Sequence, residues 1–116
     1  MVFALSLLWH IPPTTWTRSC ETLCDLLRPG RLFIFTTHGA RSIPYLKSLG
    51  FPEATGDFCF IRGEEGAYLP ADDYGQTVVT PKFVRAALRT IPTMCEVAHR
   101  PAFWWDIQDL YVWRKL

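Results

Sequence analysis

The spacing of apolar positions changes several times along the chain, and each change marks a new element. Val2-Phe3-Ala4-Leu5-Ser6-Leu7-Leu8 is an unbroken apolar run that ends in turn residues. Such a run predicts a strand buried on both faces, as in a parallel sheet. Trp16, Cys20, Leu23, Cys24 and Leu27 then fall on one helical face at i, i+4, i+7, i+8 and i+11, with Thr14 or Thr15 as the cap. Arg28-Pro29-Gly30 stops that helix. A second buried strand, Arg31 to Thr36, ends at Thr37-His38-Gly39. Strand, helix and strand in this order form a βαβ unit, whose crossover is right-handed in about 98% of cases, and they fix a parallel pair.

Beyond this unit the pattern loosens. Ser42 is read as the cap of a short helix to Leu49, which Pro44 and Gly50 limit to about two turns. The stretch from Phe51 to Val79 reads as an insertion. Its first part, to Asp73, holds Gly63-Glu64-Glu65-Gly66 and spaces Phe58, Phe60 and Tyr68 for short strands, so a hairpin or lid is expected. Tyr74 to Val79 is a further short strand. Thr80-Pro81 opens a helix whose apolar face is Phe83, Val84, Ala87, Leu88 and Ile91, and Pro92 ends it. Two strands close the chain, Met94 to Arg100 and Gln108 to Arg114. The connection Pro101 to Ile107 is too short for a parallel crossover, so the two strands are antiparallel neighbours.

Composition narrows the function classes. With 116 residues, 49% hydrophobic and 20% charged, the chain is one domain at most and has the makings of a globular core. A net charge of +1, with scattered basic residues, gives no footprint for nucleic acid or an anionic membrane. The apolar start from Met1 to Trp9 is too short for a membrane span and lacks a basic lead and a cleavage site, so it is read as neither signal nor anchor. Cys20, Cys24, Cys59 and Cys95 show no metal-ligand spacing; no metal is expected, and Cys20 with Cys24 read as reduced core thiols on one helix face. The compartment is expected to be reducing and cytoplasmic. Aromatics reach 15%, and Trp104, Trp105 and Trp113 crowd the C-terminal end, as in a pocket wall or a surface to be covered.

The order strand, helix, Pro-Gly turn, strand, insertion, helix, antiparallel pair resembles the second half of the class I, Rossmann-like S-adenosylmethionine-dependent methyltransferases. The run from Val2 through Trp9-His10-Ile11-Pro12 is similar to that family's fourth strand and following loop. Leu23 to Phe35 is similar to its helix, Pro-Gly turn and fifth strand, and Asp106 to Arg114 to its closing strand. Arg31 departs from the pattern, standing where the family usually has a second glycine. The resemblance implies an α/β fold: a partial Rossmann-like sheet of two parallel strands with a crossover helix, then a helix and a C-terminal antiparallel pair. It implies that residues 1–116 are the C-terminal half of a methyltransferase domain, with a lid-like insertion at about 51–79. It implies S-adenosylmethionine as cofactor of the complete domain. The family's glycine loop and its ribose-binding acid come before the part matched here, and no Gly-x-Gly-x-Gly occurs in the chain, so weak or no cofactor binding is expected of these residues alone.

What remains is the substrate side. Ligands of open α/β sheets bind outside the carboxyl ends of the strands, where Ser6 to His10 and Thr37 to Gly39 meet. His10 and His38 are the titratable groups near neutrality at those ends, and each is a candidate base or substrate partner. The plainer alternative is structural, with His10 bracing its loop through a backbone bond; His99, inside a terminal strand, is read as structural. By resemblance, Ser6 and Leu7 pass the methionine end of the cofactor; otherwise they are simply the end of a buried strand. Trp9, Tyr68, Tyr74 and Trp104 are candidates for an aromatic substrate wall, with core packing as the alternative. Glu64-Glu65 reads as a solvated turn.

Two functions follow. One is methyl transfer to O or N of a small molecule by the complete domain, with this chain inactive alone. The other is a small interaction module, or a subunit of a split enzyme, that pairs with a missing N-terminal half or with itself through the exposed edge of its first strand.

Overall fold

The computed structural model describes residues 1–5, 7–62 and 75–116. The expectations placed on Ser6, Glu64, Glu65, Tyr68 and Tyr74 therefore lie outside the described residues. The elements, in order, are β1 (Val2–Ala4), α1 (Pro13–Asp25), β2 (Leu32–His38), α2 (Ser42–Ser48), β3 (Phe58–Arg62), β4 (Gly75–Val79), α3 (Pro81–Arg89), β5 (Met94–Trp104) and β6 (Gln108–Lys115). Among the described residues, no helix is long and apolar enough to cross a membrane.

The strands form a mixed sheet in the order β3-β4-β2-β6-β5, with β1 beside β2. β1 runs parallel to β2, Val2 to Ala4 facing Phe33 to Phe35. β6 pairs antiparallel with the whole of β2, from Leu32 with Arg114 to His38 with Gln108. β4 joins β2 in parallel at His38 with Val78. Since β6 occupies one edge of β2, β1 and β4 share the other, in succession.

Side chains alternate along a strand, so register sorts the two faces. Phe33, Phe35, Tyr111 and Trp113 point to one face, where α1 and α3 bury Trp16, Cys20, Cys24, Val84 and Leu88 against them. Burial in this layer pushes the Cys24 thiol up to about 11 and the Cys20 thiol higher still, as befits inert core thiols. The opposite face carries Phe3, Ile34 and Val112 in one cross-strand row, and Phe3 is 60% exposed. Ile34 and Val112 are half-buried, so among the described residues that row is the less covered side of the sheet.

Where the elements differ from expectation, a local bond accounts for it. The first strand stops at Ala4 instead of Leu8, because the chain turns into the core: Leu8 is buried and its carbonyl accepts from Trp16 Nε1 at 3.2 Å. α1 begins one residue before the expected threonine cap, with Pro12 in the cap position and no side-chain cap bond. It ends at Asp25, short of Arg28-Pro29-Gly30, while Gly30 takes φ +82° and its N–H donates to Lys115 O at 2.6 Å. Ser42 does not cap α2; its hydroxyl accepts from Gly39 N at 3.1 Å and donates to Ile107 O. The described ends of the insertion are paired strands, Phe58 to Arg62 against Val79 to Gly75.

The closing hairpin is longer than expected, since β5 continues past Pro101 through a bulge between Arg100 and Trp104. Trp105 and Asp106 sit at φ +55° and +58°, and Ile107 N donates to Trp104 O at 3.3 Å. Two successive left-handed residues make the type I′ turn that suits a twisted hairpin. A tryptophan in this conformation costs roughly 1–2 kcal/mol.

α3 matches its reading closely: Thr80 Oγ1 accepts from Phe83 N at 3.2 Å, with Pro81 in the first turn. Thr80→Ala is expected to cost about 1 kcal/mol in urea denaturation, and Thr80→Ser to retain most of it. Equal midpoints for the wild type and Thr80→Ala would show that the cap contributes nothing.

Candidate functional site

The carboxyl end of β2 and the loop after β1 meet beneath α2. There Trp9 contacts both histidines, its ring centroid 4.0 Å from His10 at a shallow tilt and 4.3 Å from His38 edge-on. The loop is tied to β4 by Thr77 N donating to Trp9 O at 2.7 Å and Thr77 Oγ1 donating to Ile11 O. His10 Nδ1 donates to Gly75 O at 2.9 Å, which braces the loop through backbone. A carbonyl only accepts, so Nδ1 carries a proton in this bond.

His38 is fully buried, with Nε2 donating to Gln76 Oε1 at 3.2 Å. Burial lowers its pKa from 6.5 to about 4; the Gln76 bond opposes that shift and the neighbouring His10 adds to it. The ring is thus neutral at pH 7, and its Nδ1 lone pair has no partner among the described residues. Trp9 Nε1 and Gln108 Oε1 are likewise buried and unpartnered. Gln108 stands directly across from His38 in the β2–β6 register, so the two share a face. Each such orphan costs about 1–3 kcal/mol, which makes three in one place conspicuous.

Two cavities lie beside this cluster, with His38 in the lining of neither. One, of about 260 Å³, is lined by Trp9, His10, Tyr45, Phe51 and Gln76 among others; the second, of about 400 Å³, by Trp9, Tyr45, Trp105, Ile107 and Gln108. Trp9 and Tyr45 belong to both, so the two are lobes of one cleft. A larger groove of about 460 Å³ runs along α1 past Leu7, Ile11 and Leu23. It holds no histidine and none of the orphaned polar atoms, so the Trp9 cleft is the candidate site.

The structure therefore brings Trp9, His10 and His38 together and sets Leu7 apart, in the groove on the α1 side. Trp104 is half-buried, edge-on to Trp105 with centroids 6.5 Å apart, and it is Trp105 that lines the cleft. Tyr45, Gln76 and Gln108 were not singled out from sequence, and Trp105 only as one of the C-terminal tryptophans. The one signal for them was the tryptophan cluster near the C-terminus.

His99 belongs to a separate polar group. Its Nε2 donates to Asp109 Oδ2 at 3.1 Å, its ring stacks on Tyr111 at 4.5 Å, and Asp109 Oδ1 accepts from Ala102 N at 3.0 Å. A Cβ at Gly39 would lie 2.7 Å from the Asp109 carboxylate, so this turn is filled from within. Burial pushes the Tyr111 hydroxyl pKa up, and the charge of Asp109 adds to that. Among the described residues no three His, Cys, Asp or Glu side chains are placed to hold a metal.

The fold is mixed α/β, of the Rossmann-like methyltransferase kind. No protein-family model and no curated relative matches the sequence. Among solved structures it is similar to the 1,6-didemethyltoxoflavin-N1-methyltransferase of Burkholderia thailandensis, crystallised with 1,6-didemethyltoxoflavin and S-adenosylhomocysteine. The TM-score is 0.59 and the identity 18%, over 97% of this chain and 43% of that enzyme. The likeness is one of fold, and the chain spans less than half of that protein's length.

His38 gives this site a pH signature. Its folded pKa lies below the free value, so the unfolded chain takes up the proton first as pH falls. Stability is expected to decline from about pH 6.5 toward pH 4, by roughly 3 kcal/mol in all. Glu96, whose carboxyl Arg85 holds below its usual value of 4.5, contributes only under that pH. Urea midpoints between pH 7 and 4.5 check this. His38→Gln should flatten the slope, and an unchanged slope would remove His38 as its source.

Proposed function

We propose that the chain is the substrate-receiving half of an S-adenosylmethionine-dependent methyltransferase that acts on O or N of a small molecule. One observation carries the reading: in a sheet matched over 97% of the chain, an aromatic cleft lined by His10, with His38 buried against Trp9, lies at the carboxyl end of β2. A small-molecule acceptor agrees with that cleft's size and with the neighbour's acceptor.

The residues present do not fit the cofactor by themselves. The sequence has no Gly-x-Gly-x-Gly, and the glycine at the end of β2 is packed against Asp109. The segment that holds S-adenosylmethionine, the methyl donor, is accordingly assigned to residues outside these 116. It also covers the open row Phe3, Ile34 and Val112. In this reading His10 accepts a proton at Nε2 from the O or N that is methylated, while its Nδ1 bond to Gly75 fixes the ring. Trp9, Tyr45 and Trp105 make the substrate wall in this reading.

The second reading is an interaction module, favoured by the same row and by the edge of β1 that is unpaired among the described residues. Both readings require a cover for the sheet and differ in whether it brings a cofactor.

Calorimetry separates them. The 116-residue chain is expected to give no micromolar binding of S-adenosylmethionine. A reading frame extended upstream of Met1 through a strand and Gly-x-Gly-x-Gly is expected to bind it and to lose at least tenfold in kcat on His10→Gln. Micromolar binding by the 116 residues alone would overturn the split arrangement, and an upstream frame without that motif would overturn the enzyme.

A further inference from the structure

The sheet sorts its charges by face. Among the described strand residues the acids are Glu96 and Asp109, and both turn toward the helical layer. Glu96 pairs with Arg85 of α3 at 2.9 Å, and Asp109 with His99, whose ring stacks on Tyr111. Arg114 and Arg100 take the other face, because the register sets Arg114 beside Leu32 and Cys95, and Arg100 beside Leu110. Between those two levels runs the row Phe3, Ile34, Val112 and Ala98. Both arginines are exposed, and among the described residues neither is in an ion pair; Arg100 bonds the carbonyl of its neighbour His99. The less covered face is therefore an apolar band with a cation at either end and no described strand carboxylate to answer them. A sheet with a parallel βαβ unit is ordinarily packed by helices on both faces, and α1 with α3 takes only one here, which leaves Phe3 60% exposed. A second copy laid face to face would bring arginine toward arginine with no acid between. A helix with an apolar stripe and acidic flanks meets both demands.

We propose that this face docks an acidic amphipathic helix, its apolar stripe laid on Phe3, Ile34 and Val112 and its carboxylates reaching Arg114 at one end and Arg100 at the other. Leu110 and Arg114 are four residues apart on β6, about 14 Å of strand. A helix covers that distance in about nine residues, so its acids stand roughly two and a half turns apart. This deepens the methyltransferase reading, on which it rests for the helix belonging to the segment that holds the cofactor. Docking itself requires no cofactor.

The test is fluorescence anisotropy of a labelled helical peptide of about 18 residues, with a leucine stripe flanked by glutamates, titrated with the 116-residue chain without S-adenosylmethionine. The comparison probes are the same peptide with lysine for every glutamate, a scrambled peptide of the same composition without a stripe, and phosphatidylserine vesicles. Saturable binding of the glutamate peptide is expected, at least tenfold tighter than either comparison peptide and weakening as salt rises. Arg100→Glu with Arg114→Glu should reverse the preference toward the lysine peptide, and Phe3→Gln should weaken both, with urea midpoints showing that the variants are folded. Equal binding of the glutamate and lysine peptides would overturn the charge recognition, and equal binding of the scrambled peptide would overturn the helix. Vesicle binding that the glutamate peptide does not displace would overturn the polypeptide partner. Sedimentation of the chain as a dimer that the peptide does not dissociate would replace the helix by a second copy. The wild-type panel decides the matter even where a variant does not fold. Glutamate-peptide binding by a chain whose upstream frame lacks Gly-x-Gly-x-Gly upholds the docking face and removes only the transferase. An upstream frame with that motif but no acidic amphipathic helix does the reverse.

Discussion

Strand β2 is in register with β6 at every position from Leu32 to His38 on one edge, and with β1 and then β4 on the other. A strand paired on both edges and closed over by side chains has no slack, so its end is a fixed reference point for what surrounds it. Phe33 and Phe35 anchor the helical layer, and His38 anchors the cleft. Gln108 is placed by the same pairing, through β6, and Trp9 by the turn that follows β1. The candidate site is thus assembled from three strands by one central register.

Desolvation governs what that site can do. His38 is kept neutral because the strand carries it under Trp9, where a charge would be costly, and Gln76 fixes which nitrogen holds the proton. His10 is fixed by a backbone carbonyl instead. Two imidazoles in one cluster therefore play unlike parts: one is a buried acceptor, the other a ring held by its loop at the cleft wall.

Much of the fold was legible in the sequence. The βαβ unit, the Thr80-Pro81 start of α3 and the antiparallel close all rest on local signals, namely apolar period, cap chemistry and connection length. The first strand was read too long because an apolar run looks the same whether Leu8 is buried in a strand or in a turn. That Trp9, His10 and His38 come together was legible because they follow or end the two parallel strands. Gln76, Gln108 and Tyr45 were not, since their place in the cleft depends on the pairing of the insertion with β2 and on the hairpin turn. Both are long-range or strained features with no local signature; Trp105-Asp106 occupies a turn that ordinarily holds asparagine and glycine.

The seam between the βαβ unit and the β3–β4 hairpin is narrow. Its polar part is the His38–Val78 register pair, the His38–Gln76 bond and a few bonds from the Trp9 loop to Gly75 and Thr77, and Phe58 meets Trp16 across it. The hairpin supplies one side of the cleft and also packs Phe58 and Val79 against the core, so changes at its other positions alter the cleft with less effect on the parallel unit. Packing constrains substitutions in the sheet, whereas a change in the hairpin reshapes one wall of the cleft first.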